Sequence, residues 1–292
     1  MSHRAGFVSI IGKPNAGKST LMNALVGEKM SIITPKAQTT RHRILGIVNT
    51  DDYQVVFSDT PGIIKPHYAL HESMMHQVQG SIVDADLILL MTDINEQHEE
   101  EDVMRRLESS LAPVVVLINK IDQSDPETVK QKVDYWNEKL KPLAVFAISA
   151  LKFPNTQHLL EFIVEQMPEH PAYYEKDALT DRNDRFFASE MIREQVFKQY
   201  KKEIPYSTEV VITAFKEEEN IYRISAEIIV ERESQKNIII GQGGSMLKIV
   251  GTYARRSMEE FYQKKIFLEM FVKVIDDWRS KKNYLKKFGY ED

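Results

Sequence analysis

The stretch Gly12–Ser19, which reads GKPNAGKS, decides the fold of this chain. It matches the pattern G-x-x-x-x-G-K-[ST], in which the backbone N–H groups of a glycine-rich loop surround nucleotide phosphates. The apolar run Phe7–Ile11 precedes the motif and predicts a buried strand, and Ser19–Val26 predicts the helix that follows it. This strand, loop and helix are the context that the motif requires, so a structural glycine-rich turn is the weaker interpretation.

Individual residues of this loop have separate expected roles. The Lys18 ammonium would reach the β- and γ-phosphates, and the Ser19 hydroxyl would bind Mg²⁺. The residues of this segment expected to contact the nucleotide are Gly12, Asn15, Ala16, Gly17, Lys18, Ser19 and Thr20.

Short apolar runs alternate with helical patterns up to about residue 165. Strands are predicted at Phe7–Ile11, Ile44–Val48, Val55–Ser58, Leu87–Thr92, Val114–Asn119 and Val145–Ile148. Helices are predicted at Ser19–Val26, Leu70–Val83, Glu99–Ser110, Glu127–Leu140 and Leu159–Gln166. This order predicts an α/β domain with a mostly parallel, doubly wound sheet that binds its ligand at the carboxyl ends of the strands.

Two further motifs follow predicted strands. Asp59 begins the sequence DTPG, where its carboxylate can hold Mg²⁺ through a water and the N–H of Gly62 can approach the γ-phosphate. Asn119, Lys120 and Asp122 belong to the sequence NKID. The Asp122 carboxylate can accept hydrogen bonds from guanine N1–H and the guanine amine, whereas adenine offers neither donor.

The end of the last strand completes this expected site. Ser149 and Ala150 begin the sequence SALK, where a backbone N–H can contact guanine O6. The motifs occur in order at successive strand ends, so we expect GTP or GDP to be bound together with Mg²⁺.

A change of composition marks a second domain. Pro168 and Pro171 indicate a stiff boundary, so we divide the chain into a nucleotide domain at 1–170, a linker at 171–182 and a smaller domain at 183–292. In the last region, helices are predicted at Phe186–Lys201 and Met246–Lys264, strands at Glu209–Phe215, Ile221–Val230 and Ile266–Val274, and a helix or short turn at Lys236–Ile240. The order α-β-β-α-α-β predicts a small α+β domain.

A glycine cluster separates the last two predicted helices of this domain. A G-x-x-G loop in this position is the signature of the K homology domain, which clamps about four nucleotides of single-stranded RNA. A glycine helix cap is the competing interpretation. The residues expected to contact RNA are Lys236, Gly241, Gln242, Gly243, Gly244, Lys248, Arg255 and Arg256.

Bulk composition agrees with an intracellular, soluble protein. The chain has 292 residues, no cysteine and a net charge of −5. Residues 232–292 carry 13 Lys and Arg against 8 Asp and Glu, which suggests a polyanionic partner for this end or a solvated helical face. The chain contains no apolar run that approaches the length of a transmembrane helix.

With GKPNAGKS and the sequence Gln38–Arg41, the chain resembles the Era-type GTPases, which carry a C-terminal K homology domain. The resemblance extends over nearly the whole chain, up to the end at Trp278–Tyr290. Its further motifs are Thr180–Arg182, Ser189–Glu194, Ile204–Ser207, Glu231–Lys236 and Phe267–Val274.

This resemblance implies a cytoplasmic GTPase that binds the 3′ end of 16S ribosomal RNA, assists assembly of the small ribosomal subunit and has no DNA partner. A threonine of the first switch would bind Mg²⁺, and we favour Thr40 over Thr39. The expected catalytic residues are Lys18, Thr40, Gly62 and Asn15.

Ile63 stands where Ras-like GTPases carry the glutamine that orients the attacking water. Relatives with an apolar residue here often use a potassium ion held by a P-loop asparagine, which would be Asn15. An asparagine that merely stabilises the loop backbone is the alternative.

Two rival functions remain open at this point. One is a nucleotide-gated RNA-binding module whose GTP hydrolysis is idle, and the other is a membrane-surface cell-cycle GTPase that binds RNA incidentally. The segment Arg279–Phe288 mixes basic and aromatic residues, so it could face RNA, contact the inner face of the cell membrane or be a solvated helix.

Overall fold

A computed structural model describes residues 3–96, 101–107, 110–152 and 156–291. The chain forms two compact units, and the boundary in the sequence lies between Asp181 and Arg182, with the short segment Tyr68–Leu70 grouped with the second unit. The first unit contains all the nucleotide motifs, and the second contains the glycine cluster. None of the helices in the described ranges is long and apolar enough to cross a membrane.

The first unit is built on a six-stranded sheet with the strand order β2-β3-β1-β4-β5-β6. Its strands are β1 (Arg4–Ile11), β2 (Ile44–Asn49), β3 (Tyr53–Asp59), β4 (Leu87–Asp93), β5 (Val114–Asn119) and β6 (Ala144–Ala147). Only the β2–β3 pair is antiparallel among the pairs of this described sheet. The mostly parallel sheet predicted from the sequence is confirmed, and its central strands are almost wholly buried, as their apolar runs require.

Helices connect the parallel strands of this sheet. They are α1 (Lys18–Val26), α2 (Ala69–Val83), α3 (Glu101–Leu107), α4 (Pro126–Leu140) and α5 (Thr156–Gln166). Local sequence explains the start of α4, where Asp125 accepts the backbone N–H of Thr128 at 2.9 Å and Pro126 occupies the first turn. The outer parts of the helix predicted at Glu99–Ser110 lie partly outside the described residues.

The second unit places helices on a three-stranded sheet with the order β7-β8-β9. Its elements are α6 (Asp184–Gln199), β7 (Glu209–Glu217), β8 (Ile221–Val230), α7 (Glu233–Ile240), α8 (Ser245–Tyr262), β9 (Lys265–Val274) and α9 (Lys282–Lys287). β7 and β8 are antiparallel, whereas β8 and β9 are parallel. The predicted α-β-β-α-α-β order is confirmed, followed by a short terminal helix.

The segment Lys236–Ile240 is the end of a helix that begins at Glu233. The side-chain oxygen of Gln235 accepts the backbone N–H groups of Glu231 at 2.9 Å and Arg232 at 3.1 Å. This capping interaction satisfies N–H groups at the helix start, which explains why α7 begins earlier than its apolar residues suggest.

The C-terminal segment packs its apolar residues into the second unit. Trp278 and Leu285 are fully buried, and the Trp278 indole N–H donates to the Ser207 carbonyl at 3.0 Å. The aromatic ring of Phe288 meets that of Trp278, with centroids 5.5 Å apart. Trp278 and Leu285 therefore belong to the core of the second unit.

The segment between the predicted domains lies along the edge strand of the first unit. Leu179 accepts the backbone N–H of Ile47 at 2.9 Å, and the Asp181 carboxylate accepts that of Leu45 at 3.1 Å. We call residues 173–181 the strap. Tyr174 and Ala178 of the strap pack against the buried cluster of Leu45, Ile47 and Val56.

Candidate functional site

A cavity of about 500 Å³ lies at the carboxyl ends of the first unit's strands. This is where a doubly wound sheet binds its ligand. The predicted residues that line the cavity are Asn15, Gly17, Lys18, Ser19, Thr20, Thr40, Gly62, Asn119, Lys120, Asp122, Ser149 and Ala150. Gly12, Ala16 and Asp59 are buried and are not part of this lining.

Close backbone contacts explain why glycine occupies positions 12 and 62 of the site. A side chain on Gly12 would lie 2.1 Å from the carbonyl oxygen of Met91 in β4. A side chain on Gly62 would lie 2.7 Å from the backbone nitrogen of Pro14. The phosphate loop therefore fits between β4 and the DTPG loop only because both positions lack a Cβ.

Lys18 is a buried cation within the phosphate loop. Its Nζ donates hydrogen bonds to the carbonyl oxygens of Gly12 at 3.1 Å and Lys13 at 3.0 Å. Burial lowers the pKa of Lys18 to about 8, although the negative charges of Asp59 and Glu96 oppose this shift. The site thus holds a partly desolvated positive charge, which favours an incoming phosphate.

Three oxygen-bearing side chains meet beside Lys18. The Ser19 hydroxyl donates to Asp59 Oδ2 at 2.6 Å and lies 2.9 Å from the Thr40 hydroxyl. Asp59 is fully buried, and its Oδ1 has no hydrogen bond of acceptable geometry among the described residues. Burial raises the pKa of Asp59, and the Ser19 hydrogen bond and the Lys18 charge oppose that shift.

This group fits a magnesium ion. Carboxylate and hydroxyl oxygens are the ligands that Mg²⁺ prefers, and a cation would compensate the buried Asp59 charge. Thr39 points to other partners, because its hydroxyl lies 2.6 Å from that of Thr34 and donates to the Lys36 carbonyl at 2.7 Å. The structure therefore brings Thr40, rather than Thr39, to Ser19.

Asp122 presents an ionised carboxylate to the same cavity. Its Oδ1 accepts the Ser149 hydroxyl at 2.7 Å, and Lys152 Nζ lies 3.3 Å from its Oδ2. The Ser149 hydrogen bond is the largest cause that lowers the pKa of Asp122, and Lys152 contributes to the same shift. A carboxylate held in this form can accept the N1–H and amine hydrogens of guanine.

Asn119 joins two loops beneath the cavity. Its amide donates to the Ala16 carbonyl at 2.7 Å, and its oxygen accepts the Ala150 N–H at 2.9 Å. The side chain of Asn119 thus connects the phosphate loop to the loop after β6. The sequence motif placed Asn119 at the site but did not indicate this connecting role.

Ile63 and Asn15 differ in exposure. Ile63 is buried, and its N–H donates to the Gly12 carbonyl at 3.0 Å. Asn15 is exposed with a positive φ of 63°, a conformation that asparagine tolerates better than most residues. Ile63 therefore belongs to the packed interior rather than to the surface that faces a water.

The glycine cluster of the second unit forms an open loop before α8. Gly241, Gly243 and Gly244 all have positive φ values, of 72°, 58° and 80°. The 18 residues of α8 begin directly afterwards at Ser245. This brings an exposed backbone and a helix N-terminus to one point, which suits contact with phosphates.

A groove of about 400 Å³ continues from this loop. Its lining comprises Gly244, Leu247, Lys248, Gly251, Thr252, Arg255, Leu268 and Met270. Three predicted RNA contacts, Gly244, Lys248 and Arg255, therefore lie in the groove. Among the other predicted residues, Gln242 and Gly243 are exposed at the loop, Arg256 is exposed on α8, and Lys236 lies 3.5 Å from Glu233.

Sequence patterns missed the apolar part of this groove. Leu268 and Met270 alternate along β9 with the exposed residues Phe267 and Phe271. The period-2 alternation of β9 was the available signal, but it does not say which face meets α8. A side chain on Gly251 would lie 2.7 Å from Met270 Cε, so this glycine permits the close approach of helix and strand.

Comparisons with known proteins agree with both units. A family model described as a 50S ribosome-binding GTPase matches residues 7–120, and a KH domain model matches residues 203–279. The chain is 41% identical to GTPase Era of Clostridium kluyveri over 291 residues, covering 99% of each chain.

Two solved structures are similar over almost the whole length. One is Era in complex with MgGDPNP and nucleotides 1506-1542 of 16S ribosomal RNA, and the other is a substituted Aquifex aeolicus Era bound to GDP and AlF4⁻. Each has a TM-score of 0.95 and 39% sequence identity, and covers 99% of this chain and 100% of its own. This chain is a GTPase and belongs to the Era family.

Proposed function

We propose that this chain binds the 3′ end of 16S ribosomal RNA, assists assembly of the small ribosomal subunit and uses GTP hydrolysis to time its release from the RNA. The relative that is bound to MgGDPNP and to nucleotides 1506-1542 of 16S ribosomal RNA supports this proposal. That relative covers 99% of this chain and therefore spans both units.

The glycine loop is the observation that carries the RNA proposal. Its three glycines with positive φ leave the backbone unshielded at the start of α8, where N–H groups and the helix field favour phosphates. Lys248 and Arg255 add positive charge beside Leu268 and Met270, whose apolar atoms suit unstacked bases. An open loop, a basic side and an apolar floor together favour single-stranded RNA.

The substitution Gln242→Asp tests the RNA proposal, because it places a carboxylate in the glycine loop. We expect binding to an RNA of the 16S 3′ end to weaken by about tenfold or more, since the added charge repels phosphates. GTP binding should be unchanged, because the nucleotide site belongs to the first unit. Fluorescence anisotropy at one fixed salt concentration measures both affinities.

Asn220→Asp is the matched control for this experiment. Asn220 is exposed in the turn between β7 and β8, away from the glycine loop, and its substitution adds the same charge. Equal RNA affinity for Gln242→Asp and Asn220→Asp would contradict the proposed RNA surface.

We propose the following roles for the residues of the nucleotide site. Ser19 and Thr40 would hold Mg²⁺ directly and Asp59 through a water, and the bound ion supplies positive charge to the β- and γ-phosphates. Lys18 stabilises the same phosphates, and the Gly62 N–H approaches the γ-phosphate. Asp122 selects guanine, while Ser149 and Ala150 complete the base pocket.

A potassium ion at Asn15 is the finer part of this proposal. Ile63 cannot orient the attacking water by a hydrogen bond, and a monovalent cation beside the phosphates would stabilise the negative charge of the transition state. We expect GTP turnover to be several-fold faster in KCl than in NaCl at equal ionic strength, and Asn15→Ala to remove the difference. Equal turnover rates in KCl and NaCl would contradict a role for potassium.

The proposed site of action is the cytoplasm, where ribosomal subunits are assembled. The membrane-surface alternative draws no support from the C-terminal segment, since Trp278, Leu285 and Tyr290 are buried in the second unit. The exposed residues of α9 are Lys282, Asn283, Lys286 and Lys287, and Tyr284 is half-buried.

A further inference from the structure

The loop after β4 contacts both nucleotide motifs through acidic side chains. Asp93 ends β4, and its carboxylate accepts Lys120 of the guanine-recognition motif at 2.5 Å. Glu96, three residues later, pairs with Lys13 of the phosphate loop at 2.9 Å between Oε1 and Nζ. Neither acidic residue belongs to a motif that the sequence singled out.

We propose that Glu96 is a positioning residue for guanine-nucleotide binding, which holds the phosphate loop in its binding conformation through Lys13. This proposal concerns the nucleotide site given by membership in the GTPase family, so it stands apart from the RNA proposal. On the base side of the cavity, the Asp93–Lys120 ion pair connects the same loop to the guanine-recognition motif.

The Glu96 carboxylate is held by its own loop as well as by Lys13. Glu96 Oε2 lies 3.2 Å from both the Thr92 hydroxyl and the Asp93 backbone N–H, which donate to it. The Glu96 carbonyl also accepts Lys132 Nζ at 2.7 Å. Because these contacts limit the freedom of the carboxylate, pairing with Lys13 costs little additional side-chain entropy.

The Lys13–Glu96 pair is more than a screened surface contact. The side chains are 26% exposed for Lys13 and 16% exposed for Glu96, so water reaches both only partly. Exposed pairs contribute little because solvent screens them and their side chains stay mobile. The Lys13–Glu96 pair is less screened because it is partly buried, and it is less mobile because other contacts already hold the carboxylate.

Lys13 connects this pair to the phosphate-binding cation. The Lys13 carbonyl accepts the Lys18 ammonium at 3.0 Å, and Lys13 follows directly after Gly12, whose carbonyl accepts the same group. A fixed Lys13 therefore fixes two carbonyls that orient Lys18. Glu96 acts on the nucleotide through this chain of contacts.

A competing explanation of the Glu96 contact predicts the opposite effect on nucleotide release. A carboxylate close to the phosphate loop could simply repel nucleotide phosphates, in which case its removal would slow nucleotide release. Positioning predicts faster release instead. The sign of the change in release rate therefore separates the two explanations.

The experiment measures release of a fluorescent GDP derivative from the full-length chain by stopped flow. We expect Glu96→Gln and Lys13→Met each to accelerate release by about threefold to tenfold. In the Lys13→Met background, Glu96→Gln should cause no further acceleration, because its partner is already absent. Glu96→Asp, which keeps the charge on a shorter side chain, should fall between the parent and Glu96→Gln.

Glu161→Gln is the matched control. Glu161 is an exposed residue of α5, and its polar partners in the described part of the chain are Gln157 and His158 of the same helix. The release rate of Glu161→Gln should equal that of the parent, and circular dichroism should show that both variants are folded. Slower or unchanged release in Glu96→Gln, or equal acceleration in both Lys13 backgrounds, would overturn the proposal.

Discussion

At the residue scale, Lys18 shows how burial sets the chemistry of the nucleotide site. Removing an ammonium from water disfavours its charged form, so burial lowers the Lys18 pKa to about 8 against the opposing charges of Asp59 and Glu96. Bound phosphates add negative charge beside this ammonium, so they should raise its pKa again. Nucleotide binding and proton uptake are therefore linked from about pH 7 upward.

The first prediction follows from that linkage. Without nucleotide, about nine tenths of Lys18 is charged at pH 7 and about one tenth at pH 9, because the pKa is about 8. Since the charged form binds phosphates, GTP affinity should fall by about tenfold between pH 7 and pH 9. Binding measured at constant ionic strength over this range provides the check.

Calorimetry in two buffers of different ionisation enthalpy supplies a second check on Lys18. Proton uptake on GTP binding should be near zero at pH 6.5 and should grow as the pH rises through 8. Lys18→Met should bind GTP weakly with no proton uptake in this range. A parent chain that binds GTP equally well at pH 7 and pH 9 would contradict the assignment.

At the element scale, Gln54 attaches the strap to the sheet of the first unit. Its Oε1 accepts the backbone N–H groups of Tyr173 at 2.7 Å and Tyr174 at 3.0 Å. Its Nε2 donates to Asn49 Oδ1 at 2.6 Å and to the Tyr174 carbonyl at 2.9 Å. Every donor and acceptor of this fully buried amide is used, mainly by the strap.

The second prediction concerns Gln54→Met, which preserves volume but removes all four hydrogen bonds. The two strap N–H groups would lose their buried acceptor, at a cost of about 2–4 kcal/mol. Hydrogen exchange of the peptide that contains residues 173–181 should therefore accelerate by at least tenfold. Mass spectrometry of the exchanged peptides gives this rate.

Gln131→Met serves as the control for Gln54. Gln131 is exposed on α4, and its side chain donates to Glu127 at 3.2 Å on the solvent side of the helix. Its substitution should leave exchange of the strap unchanged. Unaltered strap exchange in Gln54→Met would mean that packing of Tyr174 and Ala178, rather than hydrogen bonding, holds the segment.

At the scale of the whole molecule, the chain leaves the nucleotide unit through the strap. The strap is hydrogen-bonded to β2, the strand that follows the first switch. Asp181 accepts the Leu45 N–H, and Leu45 lies in β2, which begins four residues after Thr40. Switch loops of GTPases are ordered by the γ-phosphate and Mg²⁺ and released on hydrolysis. A change at Thr40 can therefore reach the last residue of the first unit through β2.

The third prediction is thermodynamic coupling between the two ligands. RNA of the 16S 3′ end should bind more tightly with a non-hydrolysable GTP analogue than with GDP, by about 1–3 kcal/mol. The Era family resemblance supplies the sign of this effect. Linkage requires RNA to raise affinity for the GTP analogue by the same factor.

RNA titrations at one salt concentration with each nucleotide measure the coupling. Asp181→Ala, which removes the acceptor of the Leu45 N–H, should reduce the difference between the two nucleotide states. Equal RNA affinities in the parent would mean that the two units act independently on one chain.

The fold class and most of the candidate site could be predicted from the sequence, because the motifs are local and the apolar pattern is periodic. The loop Gly12–Ser19, the strand-end motifs at Asp59 and Asp122, and the cluster beginning at Gly241 each occupy a few consecutive residues. Alternating apolar runs likewise predicted the parallel sheet, since burial on both faces requires continuous apolar strands. Fold class and GTPase chemistry were therefore available before the structure, and the comparisons confirmed them.

Tertiary structure alone decided which distant residues meet. Glu96 pairs with Lys13, which lies 83 positions earlier, and Gln54 bonds to residues about 120 positions later. Likewise, Trp278 is buried beside Ser207 although its neighbours read as a solvated basic helix. Polar pairing has no local period and depends on where the folded chain places each partner, which is why these contacts required the structure.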